Sequence, residues 1–183
     1  MRALHAIVIG GTLCAVSQAN AGNPFGTNQP QINCELVFEG LPGQGKSATV
    51  PIESWSWGAS ASTDHEAIDP FSSTKPKPKA TTTISTQDFN FVTNQSATSL
   101  RVLDAMVQKK VLPTVTLHLT QPNTGHVFEF VMKDVEITSF QTGGTSHSND
   151  LPMEQVSFSF KKGKLTTLAD GTSHSVNIEA KKD

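Results

Sequence analysis

The amino-acid sequence predicts an all-β fold, either a partly closed β-barrel or a two-sheet sandwich, with one flanking α-helix. Many short segments rich in Val, Thr, Ser and Phe alternate apolar with polar residues, and a period of two is typical of half-buried strands. Clusters of Gly and Pro separate these segments. One segment in the middle of the chain shows the helical period instead. Seven or more short strands with a single helix favour a barrel or a sandwich over an α/β fold.

The N-terminal residues have the layout of a secretory signal peptide. A short apolar stretch, Ala6–Val16, precedes Ala19-Asn20-Ala21, which has the small residues of a cleavage site. The stretch is too short to span a membrane. We therefore expect residues 1–21 to be removed between Ala21 and Gly22. The remaining residues, 22–183, would form a single domain that is exported, either periplasmic or secreted, and not held in a membrane.

Three strands are predicted before the helix, at Asn33–Glu39, Val50–Ser60 and Thr83–Val92. In the second, Trp55 and Trp57 share one face and the intervening serines share the other. Such a pair could pack in the core or between subunits, or it could stack on a sugar or a base, and periodicity leaves both open. Cys34 would be the single cysteine after cleavage, and its apolar surroundings indicate a small buried side chain without a disulfide.

The helix is predicted over Ala97–Lys110. Ser96 is the expected N-cap, and Pro113 prevents continuation of the helix. Lys109 and Lys110 would lie in the last turn, where the helix dipole favours cations. Apolar residues recur at the spacing of an amphipathic stripe, at Leu100, Leu103, Val107 and Val111.

Alternation resumes after the helix, with strands centred on Val115–Leu119, Phe128–Met132, Val135–Ile137, Val156–Phe160 and Val176–Ala180. The apolar residues of Phe128–Met132 and of Val135–Ile137 are in opposite phases. A slip of one residue moves side chains to the other face of a strand, so we expect a β-bulge or bend near Lys133-Asp134. The turn residues Pro122–Gly125 predict a hairpin between the first two of these strands.

The segment Gly40–Ser47 satisfies the spelling of a phosphate-binding loop, G-x-x-x-x-G-K-[ST]. That mechanism needs a helix directly after the loop, because the helix N-terminus holds the phosphates. Pro51 and β-branched residues oppose a helix here. We therefore expect a Gly-rich hairpin loop rather than a nucleotide site.

No other pattern indicates catalysis or a bound group. The histidines lack the spacing of metal ligands, and neither a nucleophile with a base nor a pair of carboxylates is visible. The net charge of −2 gives no general attraction to nucleic acid. We expect a protein that is not an enzyme and has no catalytic, cofactor-binding or metal site.

Several segments, in order, resemble the Hcp family of type VI secretion tube proteins. The strand containing Trp55-Ser56-Trp57-Gly58 is similar to the S-W-S-W-G strand of that family. The other similar segments are Gln87–Phe91, the helix Ala97–Lys110, Val135–Gly144 with its Thr142-Gly143-Gly144 loop motif, and Glu154–Phe160.

This resemblance implies an Hcp-like barrel with a flanking helix, a homo-hexameric ring with a wide lumen, and rings stacked into a tube. Its further partners would be effector cargo or spike proteins of a secretion machine, and it implies no catalytic residue or cofactor. Members of the family usually lack a signal peptide, so the sequence predicts an exported relative.

The segment Ser62–Thr82 is long and has no periodicity, and Lys75, Lys77 and Lys79 alternate with prolines within it. Such a segment is a stiff solvated loop or a basic contact patch. In the resembling family the equivalent loop projects from the ring face, which makes this one the candidate stacking loop. The alternative function is a secreted β-barrel binding module that uses Trp55 and Trp57 to hold a ligand or partner without forming tubes.

Overall fold

The computed structural model describes residues 32–65, 80–121, 126–146, 149–169 and 172–179. These residues form one helix and the following strands: β1 (Asn33–Glu39), β2 (Ser47–Pro51), β3 (Ser54–Ser56), β4 (Ala59–His65), β5 (Ala80–Thr86), β6 (Phe89–Asn94), α1 (Ala97–Val107), β7 (Leu112–Gln121), β8 (His126–Gly143), β9 (Met153–Ser159), β10 (Lys162–Ala169) and β11 (Thr172–Glu179). The predicted all-β fold with one helix is confirmed.

No helix of the described part is long and apolar enough to cross a membrane. The expected cleavage site at Ala21 and Gly22, the Lys75–Lys79 run and the Pro122–Gly125 turn lie outside the described residues.

The sheet follows the order β2-β1-β7-β8-β9-β6-β3, and β10 and β11 extend from the first half of β8. Its two ends are joined through Ile52 and Glu53, which connect β2 to β3. The amide of Ile52 donates to the Cys34 carbonyl at 3.1 Å, and the amide of Glu53 donates to the Val92 carbonyl at 2.8 Å. These bonds hold the corner between two layers of a partly closed barrel, as the sequence predicted.

Strand β8 belongs to both layers. Its first half pairs with β7 and β10, and its second half pairs with β9. The partner changes near Asp134, which has a φ of +54°, a conformation that interrupts the strand alternation. Met132 before this point and Val135 after it are both fully buried. The predicted bend near Lys133-Asp134 is therefore confirmed.

We call β2, β1, β7, the first half of β8, β10 and β11 the first sheet, and the second half of β8, β9, β6 and β3 the second sheet.

Aromatic side chains fill the space between the two sheets. Phe38 of the first sheet lies 6.1 Å from Phe91 of the second, and Phe130 of the first lies 6.3 Å from Phe89 of the second, measured between ring centroids. None of these four rings is more than 1% exposed. Large aromatic residues contribute most of the apolar area that such a core buries.

Cys34 is buried beside this core, as expected. It is disulfide-bonded in the uncleaved chain; the expectation of no bridge concerns the chain that begins at Gly22, and it stays a prediction. The other cysteine of the chain, Cys14, lies outside the described residues.

The helix begins as predicted. The Ser96 hydroxyl accepts a hydrogen bond from the Ser99 amide at 3.0 Å, and the Ser99 hydroxyl accepts one from the Ser96 amide at 2.8 Å, which is a reciprocal cap. The helix ends at Val107. Lys109 and Lys110 therefore follow the helix and do not form its last turn.

The predicted stripe of the helix lies on the wrong face for core packing. The buried face consists of Ser99, Val102 and Ala105. Leu100 and Val107 are 48% and 70% exposed. Met106 is partly buried against the core, whereas Leu100 and Val107 lie on the outer side of the helix.

Two predicted strands are interrupted. Val50–Ser60 is divided among β2, β3 and β4, and Thr83–Val92 between β5 and β6. The predicted loop Ser62–Thr82 is also shorter than expected, because β4 and β5 pair in antiparallel register from Ala59↔Thr86 to His65↔Ala80. They form a separate two-stranded sheet, which we call the arm.

The Gly40–Ser47 segment is the connection of a β-hairpin, as predicted. Glu39 and Ser47 are cross-strand partners, and a strand rather than a helix follows the loop. Gly40 and Gly43 have φ values of +79° and +64°, which glycine adopts without strain. The Arg101 guanidinium on α1 donates to the Pro42 carbonyl at 2.9 Å and fastens the loop to the helix.

Candidate functional site

The tryptophans of the family-like strand belong to the core. Trp55 and Trp57 are 7% and 8% exposed. Trp55 stacks on Phe89 at 5.7 Å, and Trp57 meets Phe130 edge-on at 5.0 Å, between ring centroids. A ligand would have to enter the core to stack on either ring. The structure thus favours core packing over the ligand-stacking interpretation.

Gly58, the last residue of the motif, lies where two segments of the chain approach each other closely. A Cβ atom placed at Gly58 would lie 3.0 Å from the Gln87 side-chain oxygen, and the Gln87 amide donates to the Gly58 carbonyl at 2.9 Å. Glycine permits this approach. The S-W-S-W-G motif therefore has a structural basis in packing and in the turn toward the arm.

Two neighbouring cross-strand rows on the outer face of the second sheet contain no charged residue. One cross-strand row contains Ser56, Asn90, Ser157 and Ser139, and the next contains Ser54, Val92, Gln155 and Gln141. In the first row the Ser157 hydroxyl donates to the Asn90 side-chain oxygen at 2.5 Å, and the Ser139 hydroxyl donates to Ser157 at 3.1 Å. We call these two rows the neutral polar face. It offers hydroxyl and amide groups to a partner and no net charge.

The sequence patterns did not predict this face, because alternation marks the apolar phase of each strand. The signal was present, because Asn90 and Ser157 occupy the alternate positions of strands whose apolar phase had been recognised. Pairing of β6 with β9 and of β9 with β8 brings them together. Sequence alternation identifies the phase of a strand but not the neighbour that it faces.

The loop motif Thr142-Gly143-Gly144 closes the end of β8. Thr142 pairs with Glu154, and Gly143 pairs with Met153. All three motif residues are exposed. A Cβ atom at Gly144 would lie 3.5 Å from Pro152, whereas one at Gly143 would meet open space. The motif therefore brings β8 and β9 together without forming a pocket of its own.

Glu154, which opens the Glu154–Phe160 segment, is a carboxylate inside the core. It is fully buried, and neither side-chain oxygen has a hydrogen-bond partner among the described residues. Its cross-strand neighbour Thr93 donates its hydroxyl to the Pro51 carbonyl at 2.7 Å instead. Burial of a polar group without a partner costs stability. The period-two phase that Glu154 shares with Val156 could have revealed this position.

Glu154→Leu is therefore expected to raise the free energy of unfolding by about 1–3 kcal/mol, because it removes an uncompensated buried polar group. Urea denaturation followed by circular dichroism measures the change. The matched control is Gln155→Leu at the exposed neighbouring position, for which we expect a change within about 0.5 kcal/mol. A loss of stability in Glu154→Leu would contradict the prediction.

The described residues contain no group of three or more His, Cys, Asp or Glu side chains that could hold a metal ion. His118 lies 3.7 Å from the Glu129 carboxylate on the outer face of the first sheet. Both side chains of this pair are partly exposed.

The same segments that carry the sequence resemblance match a family model. The model for the type VI secretion system effector Hcp matches residues 42–166, which is more than half of the chain. The chain belongs to the Hcp family. The match extends from the β1–β2 loop into β10, so all of β1 and all of β11 lie outside it. No curated protein matches the chain.

Solved structures show the same fold at low sequence identity. Hcp1 from Salmonella typhimurium aligns with a TM-score of 0.60 and 15% identity, over 81% of this chain and 94% of that one. A type VI secretion system effector from Yersinia pestis aligns with a TM-score of 0.55 and 19% identity, over 80% and 99%. A chain of the anti-feeding prophage baseplate, solved with six-fold symmetry, aligns with a TM-score of 0.50 and 8% identity, over 81% and 93%. The barrel and its helix are thus those of Hcp proteins.

Proposed function

We propose that this protein is an exported, non-enzymatic Hcp subunit that assembles into homo-hexameric rings. The observation that carries the proposal is the family match over residues 42–166 of a chain that has the Hcp fold. Rings of this kind stack into tubes and carry effector proteins in their lumen. Their further partners are the spike proteins of a secretion machine.

The surface of the subunit supports an oligomer. Leu100, Val107 and Val111, on α1 and just after it, are large apolar residues with 48%, 70% and 52% of each residue accessible, and this apolar surface is available to a neighbouring subunit. The arm is a two-stranded sheet, which has little stability by itself in water. Within the described residues, β11 pairs only with β10. Unpaired strands are commonly covered by a neighbouring chain.

Six copies are the expected number. The anti-feeding prophage baseplate, which contains a chain of this fold, was solved with six-fold symmetry. Identical subunits joined by one repeated contact form a closed ring when the rotation between neighbours divides a full turn. This supports a hexamer over a two-fold dimer.

The neutral polar face suits a lumen that carries varied cargo. Its two rows present hydroxyl and amide groups, with Val92 as the one apolar member and no charged side chain. Such a surface remains hydrated and neither repels nor retains a protein by its net charge. We assign this face to the inside of the ring.

The test is the oligomeric state of the protein beginning at Gly22, measured by light scattering at tens of micromolar. We expect the mass of six subunits and annular particles by electron microscopy. A monomer at this concentration would contradict the proposal. It would favour the alternative of a binding module, although the burial of Trp55 and Trp57 leaves that alternative without its stacking surface.

Export is tested separately. We expect the native protein recovered outside the cytoplasm to begin at Gly22, because Ala19-Asn20-Ala21 follows an apolar stretch of signal-peptide length. N-terminal sequencing gives the answer. Met1 on the exported protein would exclude cleavage, whereas ring formation would be unaffected by that result.

A further inference from the structure

The β1–β2 loop, Gly40–Ser47, has the spelling of a phosphate-binding loop, and the proposed function gives it no role. Leu41 at its start is buried in the core with 3% of the residue exposed. The Gln44 amide donates to the Leu41 carbonyl at 3.3 Å, which closes a turn. Beyond this turn Gly45 and Lys46 are exposed. The core therefore holds the start of the loop, and the second half of the loop faces solvent.

Arg101 of α1 lies directly against this loop. Its guanidinium donates to the Pro42 carbonyl at 2.9 Å, and a Cβ atom at Gly43 would overlap the guanidinium. A guanidinium carries five N–H donors in a rigid fork. The bond to Pro42 fixes the position of this fork, and its other N–H groups have no partner among the described residues.

Two positive charges meet at the loop without a local counter-charge. Glu39 precedes the loop, and Asp104 lies one turn along α1 from Arg101. In the part of the chain that the structure describes, neither carboxylate forms an ion pair with Arg101 or Lys46. Asp104 instead accepts a hydrogen bond from the Gln108 side chain at 2.9 Å. The loop thus offers a fixed guanidinium and a flexible ammonium group to an anion from outside.

The backbone of the loop adds donors. The amides of Gly45 and Lys46 donate to no group among the described residues. A Cβ atom at Gly45 would meet no atom within 4 Å, so the backbone is open on this side. Free amides that follow one another in a Gly-rich loop form concave sites for anions.

We propose that the β1–β2 loop binds a phosphate group, held by the Arg101 guanidinium, the Lys46 ammonium group and the amides of Gly45 and Lys46. Lys46 is three residues from Gly43, at most about 11 Å along an extended chain, so its flexible side chain can reach an anion beside Arg101. The planar fork of arginine matches two oxygens of such an anion. Two cations also match the charge of phosphate, which lies between one and two negative charges near neutral pH.

The site suits a phosphate group without a nucleoside. Strand β2 follows the loop, so the helix N-terminus that holds the phosphates of a nucleotide is missing. Inorganic phosphate and a small phosphate ester should therefore bind equally well. Acetate should bind more weakly, because it has one negative charge and two oxygens. For an exposed site of this kind we expect a Kd for phosphate on the order of 1 mM.

Phosphorus NMR of inorganic phosphate tests the proposal, because the phosphate line broadens when the ion exchanges with a protein. The chain beginning at Gly22 is titrated at constant ionic strength, so that screening stays the same. We expect Lys46→Gln and Arg101→Lys each to raise the Kd at least about fivefold, the second because lysine keeps the charge and loses the fork. Glycerol phosphate should compete with the same affinity as phosphate, and acetate should compete at least about fivefold more weakly.

The matched control is Lys109→Gln, which removes one charge from an exposed lysine after α1. We expect its Kd to equal that of the natural chain. Circular dichroism shows whether each variant is folded. Lys46→Gln changes an exposed side chain at the loop tip, so it tests the site even if Arg101→Lys loosens the loop.

The site is overturned if the natural chain does not broaden the phosphate line, or if Lys46→Gln binds phosphate like the natural chain. An equal loss in Lys109→Gln would also overturn it, because it would show diffuse attraction to surface lysines. Each subunit contains all of the donors, so the result does not depend on whether the chain forms rings.

Discussion

Gly163→Val is expected to lower the free energy of unfolding by about 3 kcal/mol, because the glycine lies beneath two aromatic rings of the core. A Cβ atom at this position would be 2.8 Å from the Phe130 ring and 3.0 Å from the Phe160 ring. These rings already contact each other edge to face, with centroids 5.4 Å apart. Neither ring can move without disturbing its neighbours, so the added side chain must displace β10 from β8. Urea denaturation measures the effect.

Gly143→Val is the matched control. Gly143 ends β8 in open space, with no atom within 4 Å of an added Cβ, and valine favours strands. We expect its free energy of unfolding to change by less than about 0.5 kcal/mol. Equal losses at the two positions would show that the effect arises from replacing a strand glycine and not from the ring contacts.

Replacing Ser62–Thr82 by a short Gly-Ser turn is expected to leave rings intact and to abolish tubes. Ala59, where the arm packs against the core, is retained. Beyond it Ser60, Ser62 and Thr63 are exposed, so the arm contributes little to the barrel. An extended segment of stiff composition can contact a neighbour at a lower entropic cost than a flexible one. Electron microscopy distinguishes single rings from tubes.

The control for this deletion keeps the length of the segment and changes its charge, with Lys75, Lys77 and Lys79 replaced by serine. If this variant forms tubes and the deletion variant does not, then stacking depends on the length of the segment and not on its charge. Tubes of normal length in the deletion, or loss of the rings, would contradict the role of the arm in stacking.

The sequence was sufficient to predict the strand phases and the bend of β8, because each depends on neighbouring residues. Phe130 and Val135 occupy opposite phases, and a strand that keeps both buried must change its alternation between them. The reciprocal cap formed by Ser96 and Ser99 is equally local. Such features need no knowledge of which strands are neighbours.

The helix orientation could not be obtained in this way. Leu100 and Val107 have more apolar surface than Ser99 and Ala105, so any measure of periodicity assigns them to the core. In the structure Ser99, Val102 and Ala105 are buried instead, because the tertiary contacts of the helix override the pattern of its sequence. The neutral polar face could not be predicted either, because it depends on which strands pair. Asn90 and Ser157, for example, are cross-strand partners.

Strand β8 has a consequence for the kinetics of folding. Because β8 pairs with β7 and β10 in one sheet and with β9 in the other, both sheets are complete only when β8 has been placed. Pairings such as β1 with β7 and β3 with β6 also join residues far apart in sequence. Domains dominated by such contacts fold in milliseconds to seconds. Refolding from urea is therefore expected on this timescale, which is slower than the microseconds to milliseconds typical of helical bundles.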